Sequence, residues 1–489
     1  MLQLKHVDLG KEKVETLVIP VCEDKGIHDD PFIQSFVKDA RKIEGFKGGE
    51  KEDITLFDVS GKKAKRVIIA GMGKVEKVDL ERLRSTAGRT VKQCIANDLK
   101  DVLIAVPSAK KLKIDMSAIL ESMLEGGYLG NHIFNNYKSK KKHTPLKNIN
   151  LQVKLETISE FSQLTFRFET ICRGTILARE WVDTPPNDKR PEELTRSIIS
   201  LAKKEGLKID VLDEKALKKE KFGAMLAVAA GSQSKPRMVI LEYNPDQAKK
   251  TIALVGKGVT FDSGGINLKP AGSLNGMKSD MAGAAAVAAT IISLAKLRTE
   301  LRIIAALPIV ENMPSGNAAR PGDIVKSYNG KTVEIGNTDA EGRLILIDAM
   351  SYVLKKYKPD TLIDLATLTG ACVIGLGERI AGVFSGDDEL AENIYLSGER
   401  THERCWKMPM PEDYKELLKS DLADISNVSS TRWGGAITAA LFLSEFVGDA
   451  SWAHIDIAGP AFVKKGNSYG NAGATGFGVR LLCNLLEKF

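Results

Sequence analysis

Three glycine-rich segments place acidic side chains where an apolar strand ends or a helix begins. They are Gly256-Lys257-Gly258-Val259-Thr260-Phe261-Asp262-Ser263-Gly264-Gly265, running on to Lys269 and Pro270; Met277-Lys278-Ser279-Asp280-Met281-Ala282-Gly283; and Asn337-Thr338-Asp339-Ala340-Glu341-Gly342-Arg343-Leu344. Taken singly, each acid has an ordinary explanation: Asp280 can cap the helix that follows, and Asp339 or Glu341 can favour the positive end of the next one. Together, Asp262, Asp280, Asp339 and Glu341 are four carboxylates on one side of a sheet, and such a group repels itself unless cations neutralise it. Two divalent ions are the natural solution, because a pair roughly 3.5–4 Å apart needs bridging carboxylates and can clamp the attacking and leaving oxygens of a hydrolysis. Asp339 and Glu341 are two residues apart, so in an extended segment both point the same way, toward the ions.

The elements that must position these groups follow from periodicity and turn chemistry. In the first part of the chain, strands at Thr16–Val21 and Arg66–Ala70 alternate with a helix near Asp30–Ile43, which predicts an α/β layer. The turn Gly71-Met72-Gly73-Lys74 lacks the third glycine of a dinucleotide loop and needs no reading beyond a tight strand-to-helix turn. An amphipathic stretch from Ser159 to Val182 stops at Thr184-Pro185-Pro186-Asn187, where the prolines cannot continue a helix. Beyond it, strands at Thr251–Val255, Arg302–Pro308, Thr361–Leu365 and Trp452–Ile457 alternate with helices at Gly283–Leu297, from Gly342, and at Ala436–Phe446, with a hairpin at Asp323–Ile335 turned by Asn329-Gly330. The second sheet is therefore expected to be mixed and covered by helices, with ligands beyond its strand ends.

Composition narrows the classes. At 489 residues the chain exceeds a single core and reads as two domains. Hydrophobic residues at 43% and charged residues at 27% are ordinary globular usage, which excludes wholesale disorder. A net charge of +7 spread over 70 basic and 63 acidic side chains gives no strong case for nucleic acid. The apolar run Met281–Ala295 is shorter than the roughly 20 residues a bilayer needs, and the start carries no signal-peptide stretch, so a cytoplasmic protein without a membrane partner is expected. Six dispersed cysteines without CxxC read as reduced core thiols, and six histidines without HExxH leave any metal site to be built from other ligands.

The motifs GKGVTFDSGG, LKP, MKSDMAGA and NTDAEGRL, with their spacings, resemble the signatures of the leucyl aminopeptidase (cytosolic aminopeptidase) family of bacterial type. ENMPSG from Glu311, RPGD from Arg320 and DLATLTGA from Asp364 add to the likeness, which covers residues 160–489 well and the first domain more weakly. The resemblance implies a smaller N-terminal α/β, macro-like domain over 1–158, a linker helix over 159–183, and a catalytic domain over 184–489 with a mixed β-sheet sandwiched by helices. It implies hydrolysis of N-terminal amino acids from peptides, with leucine and other apolar residues preferred. Asp262 and Glu341 resemble carboxylates that bridge both metals, Asp339 a ligand of one ion, and Lys257 with Asp280 ligands of the other; an amine binds a metal only when neutral, so Lys257 needs a lowered pKa. Lys269 resembles the lysine that polarises the scissile carbonyl, and Arg343 the arginine that holds a bicarbonate acting as general base, with a salt bridge as its ordinary alternative. Met277, Thr367, Leu368 and Gly370 resemble walls of the first side-chain pocket, and Met277 taken alone reads equally as core.

Zinc or manganese is the expected metal, with magnesium and cobalt as further candidates, and a homohexamer of two trimers is implied by the resemblance alone. Two other readings remain open at this point. A two-metal phosphoesterase uses the same ligand types, although few histidines lie near the motifs. A second, DNA-binding role would draw on Lys138–Lys142 and show steep salt dependence.

Overall fold

The computed structural model describes residues 2–57 and 64–489 and resolves into two compact units. Residues up to Arg173, together with Lys465–Ala472, make the first; Gly174–Lys464 and Gly473–Phe489 make the second. The helix expected to link them runs Ser162–Asp183, and the boundary between units falls inside it. The segment Lys465–Ala472 joins the first unit because Lys92 Nζ donates to the carbonyls of Asn467 and Gly470, both at 3.0 Å, and Tyr469 lies against Gly88.

The first unit is built on a six-stranded sheet of β1 (Leu2–Lys5), β2 (Val14–Val21), β3 (Asp53–Phe57), β4 (Ala64–Gly71), β5 (Asp101–Ala105) and β6 (Asn148–Gln152), ordered β1-β6-β5-β2-β4-β3. All neighbours are parallel except β3 with β4. Its centre is apolar on both faces, as in β2, where Leu17, Val18 and Ile19 are all buried, because helices cover both sides. The basic run Lys138–Lys142 lies in an exposed loop.

The second unit carries a nine-stranded mixed sheet. Its strands in chain order are β7 (Lys208–Leu212), β8 (Arg237–Tyr243), β9 (Thr251–Gly256), β10 (Gly258–Asp262), β11 (Arg302–Asn312), β14 (Thr361–Ala366), β15 (Ala381–Ser385), β16 (Cys405–Lys407) and β18 (Ser451–Asp456). A three-stranded sheet between them holds β12 (Ile324–Lys326), β13 (Thr332–Glu334) and β17 (Ile425–Ser426); the Asn329-Gly330 hairpin joins β12 to β13. Four central strands, β18, β14, β9 and β11, are mutually parallel, so their carboxyl ends open on one edge. In β9 and β11, Ala253, Val255, Ile304 and Ala306 pack toward the Glu341–Tyr357 helix. The alternate residues Ile252, Leu254, Ile303 and Ala305 are equally buried, on the face that the Ala282–Leu297 helix covers. That helix lies in the apolar stretch 271–297, long enough by composition to cross a bilayer, but 83% of its most apolar window is buried inside the protein.

Backbone proximity sets how the Ala282–Leu297 helix meets the strand ends. A Cβ on Gly283 would sit 2.1 Å from the Leu365 carbonyl oxygen, and one on Gly256 would lie 2.5 Å from that of Gly283. Gly283→Ala is therefore expected to lower stability by about 2 kcal/mol or more despite the better helix propensity of alanine. Urea denaturation reads this directly; a raised midpoint would show that the contact does not constrain the helix.

Candidate active site

The charged groups of the three glycine-rich segments stand at the edge where the central parallel strands end. Strand β9 stops at Gly256, and Lys257 occupies the break before β10. There its amide donates to the Leu365 carbonyl at 3.0 Å and its carbonyl accepts from Ala284 at 2.8 Å. Strand β10 then follows β11 to Asp262, with a register shift between Val259 and Asp262. Such a bulge re-aims a side chain at a sheet rim, and here it turns Asp262 onto Asn312, whose Nδ2 donates to Asp262 Oδ1 at 2.9 Å and to the Thr338 carbonyl at 3.0 Å. Gly264 and Gly265, with φ of +89° and +64°, reverse the chain so that the Lys269 amide returns to the Ser263 carbonyl at 2.9 Å.

The capping explanation for Asp280 does not hold in the fold, whereas Glu341 does lie in the first turn of its helix, at the positive end. The Ala282–Leu297 helix has Met281 at its N-cap and the Glu341–Tyr357 helix has Ala340, and neither is capped by a side chain. Asp280 instead accepts from Thr367 Oγ1 at 2.8 Å and meets Lys257 Nζ at 2.8 Å. The expected alternation of Asp339 and Glu341 is also corrected. Asp339 sits in a turn and Glu341 opens a helix, so they are not on one face of an extended segment; Glu341 reaches Lys257 at 2.8 Å while Asp339 reaches Lys269 at 2.5 Å.

Asp262, Asp280 and Glu341 form a buried group whose candidate ligand oxygens all lie within 4.8 Å of one another. Asp339 is linked to it through Lys269, whose Nζ lies 2.9 Å from Asp262 Oδ2. Burial pushes the carboxyls of Asp280 and Glu341 above their usual range, and the neighbouring acids push the same way, against the pull of Lys257. Burial likewise raises Asp339, although Lys269 opposes it. Burial also disfavours charge on Lys257 and Lys269, but the surrounding carboxylates outweigh it and hold both ammonium groups above the ordinary lysine range. Two ammonium groups balance only half of four carboxylates. Asp280 Oδ2 and Glu341 Oε2 remain buried without a hydrogen-bond partner. Hard oxygen donors left unsatisfied in such a place fit a divalent cation.

Around this centre, Gly342 leaves room for Lys257: a Cβ there would lie 2.7 Å from Lys257 Nζ. Arg343, buried, donates through Nη1 to the Asn427 carbonyl at 2.8 Å and keeps a buried Nε without a partner. Burial lowers it to about 10, with Glu341 and Asp456 opposing. Thr367 touches both Asp280 and, through its carbonyl, Lys257 Nζ at 2.8 Å. Leu368 is half-buried, and its amide is held by Asp456 Oδ1 at 3.2 Å; Thr369 Oγ1 donates to Asp456 Oδ2 at 2.7 Å. Gly370 is exposed and opens the short Gly370–Leu376 helix, with nothing within 4 Å of the point where a Cβ would stand. Met277 begins the short turn Met277–Ser279 that leads into Asp280.

Sequence reasoning missed the supports: Asp456 under the 367–370 loop, and Asn427, whose Oδ1 accepts from Gly336 at 2.8 Å and whose Nδ2 donates to the Asn337 carbonyl at 2.8 Å. Nothing in a lone Asn or Asp far from the motifs marks it. Asn312 belongs to the ENMPSG stretch, but only the end of β11 shows its task.

With this geometry in place, comparison with known proteins decides the family. Residues 176–483 match the catalytic domain of the cytosol aminopeptidase family and residues 30–141 its N-terminal domain. The chain belongs to the cytosol aminopeptidase family. This family member is a metal-dependent aminopeptidase, a hydrolase that acts on peptides. It is 41% identical to a probable cytosol aminopeptidase of Chlorobium limicola over 98% of both chains. To one of Cenarchaeum symbiosum it is 40% identical, over 94% of this chain and 92% of that one. Among solved structures, a mutant of tomato leucine aminopeptidase matches with a TM-score of 0.88 at 30% identity, covering 100% of this aminopeptidase and 96% of that chain. The bottromycin maturation enzyme BotP in complex with Mn matches at 0.86 and 32%, over 97% and 99%.

Proposed function

We propose that this aminopeptidase removes leucine and other apolar residues from peptide N-termini at a two-metal centre. The observation that carries the proposal is the buried Asp262, Asp280 and Glu341 group, with two of its oxygens unsatisfied. Asp262 and Glu341 would serve both ions, Asp339 one of them, and Asp280 the other together with Lys257, whose amine an adjacent dication would hold neutral against the pull of the carboxylates. When bound, the ions neutralise the carboxylates and make the attacking water a stronger nucleophile. Zinc and manganese both suit the donor set, with magnesium and cobalt behind them, and the Mn-bound relative supports manganese.

Lys269 presents a positive charge at the open side of the group, where it can polarise the scissile carbonyl and stabilise the developing oxyanion. Arg343 holds a bicarbonate; its planar fork suits a bidentate anion, its Nη1 is anchored on Asn427, and its Nε is free to donate. Met277, Thr367, Leu368 and Gly370 frame the first side chain, and the flexible thioether of Met277 accepts several apolar shapes. Cytoplasmic location and assembly as a homohexamer of two trimers complete the reading and rest on family membership.

A free α-amino group is required by this arrangement, because it supplies a ligand that an acylated nitrogen cannot. Leucyl-p-nitroanilide is expected to be cleaved at least about 100-fold faster than its N-acetyl derivative. Equal rates for the two would overturn the exopeptidase geometry, and faster release from p-nitrophenyl phosphate than from either would favour a phosphoesterase.

A further inference from the structure

Lys189 is 2% exposed and forms no ion pair with a carboxylate among the described residues. Pro185 and Pro186 end the Ser162–Asp183 helix, and the short turn Pro186–Asp188 then drives Lys189 inward. Its ammonium donates to the carbonyl of Val182 at 2.7 Å and to that of Lys278 at 2.6 Å, with Met281 Sδ at 3.7 Å as a third, weaker contact. Lys278 crosses in the opposite direction: its Nζ donates to the Asp183 carbonyl at 2.7 Å. Two lysines thus bolt the Met277–Ser279 turn to the end of the long helix: Lys189 holds the backbone of Lys278, and Lys278 that of Asp183.

The turn spans three residues after Gly276 at φ +93° and is closed by Ser279, whose amide and hydroxyl donate to the Gly276 carbonyl at 2.8 and 2.7 Å, whereas Asp280 N just beyond it reaches the Met277 carbonyl only at 3.3 Å. The Lys278 carbonyl accepts from Lys189, and a lysine with three donors can satisfy it and the Val182 carbonyl at once. Burial, with the Lys278 ammonium beside it, pushes Lys189 down to about 7, while Asp183 opposes; charged or neutral, its amine still has protons to donate to both carbonyls.

We propose that Lys189 is the positioning residue of this turn, fixing the Lys278 carbonyl so that Asp280 meets the cation and Met277 faces the first side chain of the peptide. The inference rests on reading Asp280 as a metal ligand. Groups that orient ligands in this way typically change metal affinity by about 10- to 100-fold when removed.

The test is calorimetric titration of Mn2+ into chelator-treated full-length protein, for the wild type, Lys189→Met, Lys278→Met and Asp280→Asn, together with KM and kcat for leucyl-p-nitroanilide. Lys189→Met keeps the length and loses every donor. It is expected to weaken Mn2+ binding by about 10- to 100-fold and to raise KM. Lys278→Met, on a partly exposed side chain that tolerates replacement, is expected to weaken binding by a smaller factor. A folded Lys189→Met protein with wild-type Mn2+ affinity, alongside a weakened Asp280→Asn, overturns the role of Lys189 alone. Wild-type affinity in Asp280→Asn removes the ligand reading and this inference with it. Should Lys189→Met not fold, wild-type affinity in Lys278→Met overturns the bolt.

Discussion

Replacing Lys269 by alanine is expected to lower kcat for leucyl-p-nitroanilide by about 100- to 1,000-fold, the usual loss when one preorganised donor to a developing oxyanion is removed. The ammonium is held before substrate arrives: the Gly264-Gly265 reversal returns the Lys269 amide to Ser263, and Asp262 and Asp339 flank Nζ at 2.9 and 2.5 Å. Its side chain is 17% exposed, against 3% for Lys257, so of the two lysines it is the one that faces an incoming peptide. An alternative task for Lys269 is to neutralise its carboxylates. The two roles separate cleanly. As a neutraliser, its loss would change Mn2+ affinity and leave kcat within a few fold of wild type; as an oxyanion donor, its loss collapses kcat while Mn2+ still binds. With Mn2+ present to neutralise the acids, the variant is expected to fold, because the residue lies on a loop outside the apolar clusters.

Exhaustive dialysis against a chelator is expected to abolish peptide hydrolysis and to leave the protein folded. Activity is lost because the buried carboxylates Asp262, Asp280 and Glu341 would no longer hold the ions that make the attacking water a stronger nucleophile. The fold survives because Lys257 and Lys269 supply counter-charge to the four acids and the core beneath is apolar. Returning Mn2+ or Zn2+ should restore hydrolysis. It should also raise the melting temperature, since an ion bound only by the folded state stabilises it by about 2.7 kcal/mol at 100 times its Kd. Full activity after chelation, confirmed metal-free by elemental analysis, would sink the two-metal reading.

Much of the architecture could be read from pattern. The strand at Thr251 and the helix ending at Leu297 follow from apolar periodicity and agree with the structure to within a residue or two, because burial on a sheet or helix face imposes those periods on the sequence. The acids also announced themselves, by clustering in glycine-rich segments after strands. What pattern could not distinguish was whether Asp280 was a cap, since a cap and a ligand look alike in one dimension; in the fold Met281 holds the cap position and Asp280 makes no cap bond.

The order of amino acids sufficed to say which residue types are present for metal and peptide chemistry, and that they follow strands. How they meet is a property of the folded chain. Parallel pairing of β9, β11, β14 and β18 brings segments more than a hundred residues apart to one edge, and the bulge before Asp262 sets its direction. Folding also reveals the supporting groups, Asn312, Asn427, Asp456 and Lys189. Each works through a few hydrogen bonds, most of them long-range, and such bonds leave no periodicity in the chain because they depend on where backbone carbonyls and amides come to rest in space.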